Sequence, residues 1–267
     1  MSALSVEELH RIAVAYEELL VPAFLKEFAG QLTEAARIGP GDHVLDVACG
    51  TGILARTAAA RVGLHGAVTG VDVNPGMLRV AARVAPGVSW REGSAEALPF
   101  DNQSFGAVVS QFGLMFFADR RAALQQMNRV LRSGGRLAVA VFDALDRGAP
   151  YAAMATLVER VVGPSAAEAL RAPFALGDRR MLQALFTDAG VVAAIVTTQR
   201  ATARFPSVRA MVMADAKGWF PLAGIRLSDR QLETLVGEAA RALGSCVLSD
   251  GRVEFPIAAH VVTALKP

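Results

Sequence analysis

The chain has 267 residues, with 27 basic and 25 acidic side chains and a formal charge of +2. That length suits one large α/β domain or a core with an attached cap. The near-balanced charge, with arginine pairs such as Arg120 and Arg121 or Arg179 and Arg180 scattered along it, argues against a dedicated nucleic-acid surface, which needs a concentrated basic stripe. A hydrophobic share of 53% and a charged share of 19% exclude a disordered chain.

Two cysteines, Cys49 and Cys246, are too few for a disulfide framework and fit a reducing, cytoplasmic setting. Glu7 and Glu8 stand where a secretory leader would need a basic start and an apolar run, and no uncharged stretch approaches the roughly 20 apolar residues of a membrane span.

From about Val6 to Arg37 apolar residues recur at three and four, among them Leu9, Ile12, Ala13, Tyr16, Leu19 and Leu20. This predicts helix, with Pro22 marking a break before a second helix. Ile38-Gly39-Pro40-Gly41 is a turn, and HVLDVA after it is a short valine-rich run expected of a strand buried on both faces. ILARTAAARV is a helix stopped by Gly63, AVTGVDV a second buried strand, and NPGMLRVAARVAP a turn and helix closed by Pro86-Gly87. A short strand at VSWREG, a loop through SAEALPFDNQS, a strong fourth strand at FGAVVSQFGLMFF, a helix at DRRAALQQMNRVL and a strand at RLAVAVF follow. Strand and helix alternate five times with short links. The expected fold is α/β and Rossmann-like: a doubly wound, seven-stranded, mostly parallel sheet.

After Asp143 the rhythm changes. Residues 148–190 read as helical, VVAAIVTTQRATARF as a strand, 207–243 as helical, and FPIAAHVVTALKP as a closing strand. The expected organisation is an N-terminal helical lid segment over 1–39, a cofactor-binding core over 40–147, and a segment over 148–267 that returns strands to the sheet and carries helical inserts, a lid over one sheet edge.

The sharpest motif is VLDVACGTG, with Asp46 four residues before Gly50 and Gly52 two after it. Glycines at the carboxyl end of a first strand let backbone approach a ligand, and the following helix offers free N–H groups. Gly50, Gly52 and Ala55 also satisfy the dinucleotide pattern G-x-G-x-x-A, and a glycine turn can simply join strand to helix. Asp46 separates the two cofactor readings: a carboxylate there suits a cationic ammonium and repels a pyrophosphate. Asp72, about 20 residues on at the end of the second strand, is placed to bind ribose hydroxyls; the alternative is a helix cap, a role Asn74 before Pro75 could fill instead.

In this order and spacing, DVACGTG, VTGVDVNPGML, GSAEALPFDNQSFGAVVSQFGLMFF and VLRSGGRLAV resemble the class I S-adenosylmethionine-dependent methyltransferases, in the small-molecule branch similar to the ubiquinone and menaquinone biosynthesis enzymes. The resemblance is strong over residues 40–143 and loose elsewhere. It implies S-adenosyl-L-methionine as cofactor, with Asp46, Ala48, Cys49, Gly50 and Gly52 around its methionine portion, Asp72 on the ribose, and Val73 and Met77 near the adenine. Ser94 and Ala95 would lie at the adenine edge; the family more often has Asp where Ser94 stands, so Ser94 would be a neutral, shorter partner. Gln111 falls where the fourth strand meets the reacting methyl, and could touch cofactor or acceptor; it could equally be the polar edge of a core run.

Methyl transfer is an in-line displacement driven mainly by alignment, and a base is needed only if the acceptor arrives protonated. No catalytic residue is assigned from the sequence. His10 and Tyr16 in the N-terminal helices, Gln111 and Trp219 are the pocket-lining choices, whereas His43 and His65 lie on the far side of the sheet and His260 reads as a satisfied core residue. Nothing requires a metal. Aromatic and Met side chains of the inserts, Tyr151, Met154, Phe174, Phe205, Met211, Met213, Trp219 and Phe220, read as core or as an apolar acceptor pocket. The expected activity moves a methyl group to an O, N or C atom of a small, partly apolar metabolite, with no nucleic-acid partner and with a homodimer compatible. The rival readings are a nicotinamide-dependent oxidoreductase, for which no Tyr-x-x-x-Lys pair is found, and a catalytically silent cofactor-binding relative.

Overall fold

The computed structural model describes residues 4–147 and 149–267. The start of the expected lid segment, residues 1–3, and the boundary glycine, Gly148, lie outside the described residues.

Helix α1 (Val6–Ala15) starts on a capping box: Ser5 Oγ accepts the Glu8 N–H at 3.2 Å and Glu8 Oε2 accepts the Ser5 N–H at 2.9 Å. The break expected at Pro22 is absent. The chain continues through a ten-residue π-helical segment, Tyr16–Leu25, straight into α2 (Lys26–Ala35). Proline lacks the N–H an α-helix needs and crowds the carbonyl four residues back. The wider i→i+5 turn accommodates both defects, and such segments gather at functional sites.

Seven strands form one sheet: β1 (His43–Val47), β2 (Ala67–Asp72), β3 (Ser89–Glu92), β4 (Phe105–Gln111), β5 (Leu131–Phe142), β6 (Ile195–Phe205) and β7 (Val253–Leu265), in the order β3-β2-β1-β4-β5-β7-β6. β1 pairs in parallel with β2 and β4, while β7 runs antiparallel to both β5 and β6. The fold is therefore the expected Rossmann-like, mostly parallel seven-stranded sheet. The order in which strands are added reverses between β1 and β4, and the crevice outside their carboxyl ends is where such sheets bind ligands.

α3 (Ile53–Val62), α4 (Pro75–Val84) and α5 (Arg120–Val130) are the crossover helices. α4 is capped by Asn74, whose Oδ1 accepts the N–H groups of Gly76 and Met77 at 2.9 and 3.2 Å. Asp72 is thus released from capping. The fourth strand is shorter than its apolar run implied: it ends at Gln111, and Leu114–Phe116 form a 3₁₀ turn. β6 likewise begins at Ile195 rather than Val191.

Before β6 come α6 (Ala149–Val161), α7 (Pro164–Arg171) and α8 (Arg179–Asp188); between β6 and β7 come α9 (Val208–Gly218) and α10 (Asp229–Ala242). These inserts divide. α8 packs on α5 and β6 with Leu182 and Phe186 fully buried, so it is a sheet-covering helix. The others pack on one another and on the π segment, above the strand ends, rather than along the sheet edge as the sequence suggested. No helix among the described residues is long and apolar enough to cross a membrane.

Candidate functional site: two pockets at the carboxyl ends of the sheet

Both strands that flank the crevice end in left-handed backbone at non-glycine residues: Ala48 (φ 56°) after β1 and Phe112 (φ 57°) after β4. Such strain is sparse and clusters at working sites. The two turns touch, because a Cβ on Gly113 would sit 2.7 Å from Ala48 Cβ. In the glycine turn itself, Gly50 (φ 53°) borders open space, whereas a Cβ on Gly52 (φ 85°) would overlap the Trp90 ring. Gly50 is the open face of the turn and Gly52 its packed face.

Asp46 is fully buried, and neither carboxylate oxygen has a hydrogen-bond partner. Burial pushes its carboxyl well above the ordinary range; the nearby Ala55 backbone N–H opposes the shift and the Asp72 carboxylate adds to it. Three more buried polar atoms on the same turns are unsatisfied: Thr51 Oγ1, Ser110 Oγ and Gln111 Oε1. Buried polar groups are rarely left this way without a ligand or water to meet them. Asp72 holds the turn: its Oδ2 accepts the Gly50 N–H at 2.8 Å and its Oδ1 the Asn74 N–H at 2.9 Å. Burial still raises its carboxyl, against those backbone donors.

The π segment roofs the crevice. Burial and the carboxylates of Asp72, Glu17 and Asp46 all push the Tyr16 hydroxyl upward, so that phenol lies within reach of the acidic pair's charge. Glu17 is clamped to Arg56 of α3 at 2.8 Å, and Gln111 Nε2 donates to the Leu25 carbonyl at 3.0 Å. Both contacts fix the roof to the glycine-turn side of the sheet.

The remaining residues singled out from the sequence are placed unevenly. Cys49 is buried and free, its thiol raised by burial; it points inward, since a Cβ on Gly70 would lie 2.9 Å from its Sγ. Cys246 is also free. Val73 is 64% exposed at the rim, while Met77 is buried between α1 and α4 with Ala13 and Val80. Ala95 is buried, but the Ser94 hydroxyl is engaged: it bonds the Glu96 carboxylate and accepts the Glu96 N–H at 3.1 Å. His10 lies where α1 backbone crosses Gly76, its Nδ1 buried without a partner, and it is not among the residues lining the aromatic cavity. His260 is a satisfied core residue, bonded to Thr198 Oγ1 at 3.0 Å and Gly177 O at 2.9 Å and paired with Asp143 at 3.0 Å.

Beside this crevice is a second, apolar cavity. Tyr16, Leu20 and Phe24 of the π segment, Phe112 and Phe142 at the strand ends, and Tyr151, Phe174 and Trp219 of the cap line it. Phe112 and Phe142 are stacked at 3.8 Å, Phe174 lies 5.4 Å from Phe142, and Trp219 lies 4.8 Å from Phe116 with its indole N–H held by the Ala169 carbonyl at 2.8 Å. Tyr16 and Phe112 line this cavity, and Phe112 is also the strained residue that ends β4 at the crevice. Of the insert residues considered from the sequence, Tyr151, Phe174 and Trp219 reach the cavity, while Met154, Phe205, Met211 and Phe220 are core. Sequence reasoning missed Phe24, Phe142 and Asp215 in this wall; the available signal was an acid inside the apolar run AMVMADA.

The stretch of chain that carries the glycine turn is also the stretch that resembles known proteins. Residues 44–135 match the family model described as a methyltransferase domain. This core resembles a methyltransferase domain. It is similar to the class I S-adenosylmethionine-dependent enzymes. The ubiquinone/menaquinone biosynthesis C-methyltransferase of Xanthomonas oryzae pv. oryzae is 44% identical over 114 residues, 40% of this chain and 45% of that protein. The chloroplastic 2-phytyl-1,4-beta-naphthoquinone methyltransferase of Arabidopsis thaliana is 35% identical over 134 residues, 47% of this chain and 51% of that one. The chain thus spans about half the length of the curated relatives it matches. Among solved structures, a Haemonchus contortus phosphoethanolamine N-methyltransferase 2 in complex with S-adenosyl-L-methionine superposes with a TM-score of 0.59 at 17% identity, covering 96% of this chain and 56% of that one. The YcgJ protein of Bacillus subtilis gives 0.58 at 18%, covering 89% and 97%. At these identities the two structures speak for the fold.

Proposed function

We propose that the protein is an S-adenosylmethionine-dependent methyltransferase whose acceptor is a small, partly apolar metabolite. The observation that carries this is Asp46: a fully buried carboxylate with both oxygens unpaired, at the switch point of the sheet. A buried acid of this kind is stable as an anion only against a cation, which an amino-acid ammonium supplies. The neighbouring orphans fit the same group, with Thr51 Oγ1 able to donate to a carboxylate at the start of α3, where the backbone N–H groups also point. Asp72, freed from capping, keeps lone pairs for ribose hydroxyls.

When bound, the cofactor supplies a methyl group already activated by a positive sulfur. The protein's own work is then positional. Asp46 and the glycine turn hold the amino-acid end, Asp72 the ribose, and Tyr16 and Phe112 form the wall through which the two spaces meet. Aromatic side chains on that wall exclude water and align an acceptor, and alignment is the largest lever available to a displacement of this type. A nicotinamide dinucleotide fits less well, because its pyrophosphate would face the Asp46 carboxylate.

Calorimetry with S-adenosylhomocysteine and with NADH tests the assignment. The first should bind and the second should not. Asp72→Ala should weaken S-adenosylhomocysteine binding by on the order of 100-fold, the loss of hydrogen bonds to a charged acceptor, with the circular dichroism spectrum retained. NADH binding without S-adenosylhomocysteine binding would overturn the reading. Labelling of a metabolite in cell extract from methyl-tritiated cofactor separates an active enzyme from a silent relative.

A further inference from the structure

The apolar cavity contains two ionisable groups that the methyl-transfer reading leaves unused, Asp215 and Tyr151. Asp215, on α9, lines the cavity and is 5% exposed. Among the described residues, no hydrogen bond or ion pair engages its carboxylate. It sits one helical turn before Gly218, which packs directly on the Tyr16 backbone: a Cβ there would lie 3.2 Å from Tyr16 Cα. Across the cavity Tyr151, on α6, is 6% exposed, held between Phe174 at 5.6 Å and Phe255 at 5.7 Å, and its hydroxyl likewise makes no hydrogen bond. Asp215 is close enough for its charge to raise the Tyr151 hydroxyl, yet no hydrogen bond joins the two.

A carboxylate and a phenol facing a chamber of rings and aliphatic side chains are expensive to bury unpaired, and the arrangement makes sense where a ligand completes it. We propose that Asp215 and Tyr151 form the polar anchor of the methyl-acceptor cavity, and that the acceptor is a flat, aromatic-type molecule presenting a hydroxyl group to them. This rests on the methyltransferase reading for the word acceptor, and on the cavity alone for the recognition. The choice of a hydroxyl follows from complementarity. A hydroxyl donates to the ionised Asp215 and accepts from Tyr151 at once, whereas an ammonium has no lone pair for Tyr151 and a carbonyl has no proton for the ionised acid. The flatness follows from the walls, where Phe142, Phe174 and Trp219 present rings. Burial pushes the Asp215 carboxyl up to about 7, so near neutral pH both its ionised and its protonated forms are populated. A hydroxyl, with a proton and lone pairs, meets either form, whereas a carbonyl meets only the protonated one.

The test uses the full chain without cofactor, so that it stands apart from methyl transfer. Phenol and toluene, nearly the same shape, are titrated by ligand-observed NMR against wild type, Asp215→Leu, Asp215→Asn and Tyr151→Phe. Asp215→Leu should shift the ratio of phenol to toluene affinity at least about tenfold toward toluene, with Asp215→Asn and Tyr151→Phe intermediate. Thermal unfolding confirms that each variant is folded, and the two milder variants carry the test if Asp215→Leu is not. An unchanged ratio in the folded variants overturns the proposal, as does failure of both probes to bind. Benzylamine binding more tightly than phenol and losing more on Asp215→Leu overturns the hydroxyl assignment. S-adenosylhomocysteine affinity should stay within about twofold in all these variants; its absence from wild type would sink the methyltransferase reading while leaving the phenol result intact.

Discussion

The glycine turn and the cap cavity each bury a carboxylate without a hydrogen-bond partner, Asp46 in one and Asp215 in the other, but they surround it differently. Around Asp46 the neighbours are strained backbone and unpaired polar atoms of Thr51, Ser110 and Gln111. Around Asp215 they are aromatic rings, two of them the phenols of Tyr16 and Tyr151, and aliphatic side chains. The first environment is shaped for a charged, polar fragment of fixed structure. The second is shaped for an apolar body with a single polar point. The same residue type serves two kinds of recognition because its surroundings, and not its own chemistry, decide what can approach.

The largest expected effect separates the two sites directly. Asp46→Asn should weaken S-adenosylhomocysteine binding by about 100-fold or more, since it removes a desolvated charge pair, while Asp215→Asn should leave it within about twofold. Calorimetry on both variants reads this, and equal losses would show that the two acids serve one site.

The contrast also explains what the chain disclosed in advance. Asp46 was legible because a fixed spacing, Asp46 to Gly50 to Gly52, ties it to a strand end and a turn, and local geometry then dictates its surroundings. The alternation of strands and helices over residues 40–143 was legible for the same reason: each element is set by its own periodicity. Asp215 was hidden because its partners come from far along the chain, Tyr151 on α6 and Phe24 on the π segment, and no periodicity records such a meeting. Pro22 misled for a related reason. Proline ends an isolated α-helix, but here packing of Leu20, Val21, Phe24 and Leu25 keeps the segment helical by widening it. The end of β4 at Gln111 was equally unreadable, because the apolar run continues into a turn whose shape is imposed by contact with Ala48.

Next in size is a stability effect at the cap. The Asp215 carboxyl is raised from 3.8 to about 7 by burial. Between those values the native protein keeps a proton that the unfolded chain has released, so this residue's contribution to stability falls as pH rises through the window. Asparagine has no proton to lose. Asp215→Asn should therefore be more stable than wild type at pH 8, on the order of 2–4 kcal/mol as an upper range, with the gain vanishing toward pH 4. Denaturant unfolding across that range measures it. A loss of stability at pH 8 would mean that the carboxylate has a partner, and would count against a ligand-completed site. A stabilising substitution that weakens phenol binding would show a folding cost retained for recognition.

Gly113→Ala should cost about 1–3 kcal/mol, because its methyl would meet Ala48 Cβ at 2.7 Å and push the β1 and β4 turns apart. Since those turns carry Asp46 and Gln111, S-adenosylhomocysteine affinity should fall with stability, and a stable variant with unchanged affinity would argue that the contact is incidental.

The smallest effect comes from the clamp between roof and core. Glu17 and Arg56 form an ion pair at 2.8 Å with side-chain exposures of 16% and 22%, so solvent screens it only in part. Glu17→Gln keeps the shape and removes the charge, which should cost about 0.5–1 kcal/mol. The informative readout is which ligand notices. The clamp joins the π segment to α3, on the glycine-turn side, and Tyr16 lies beside it. Loosening it should weaken S-adenosylhomocysteine several-fold and phenol less, because Asp215 and Tyr151 are carried by α9 and α6, which the clamp does not touch. Equal weakening of both ligands would mean that the roof moves as one piece over the two spaces, and that Tyr16 couples them.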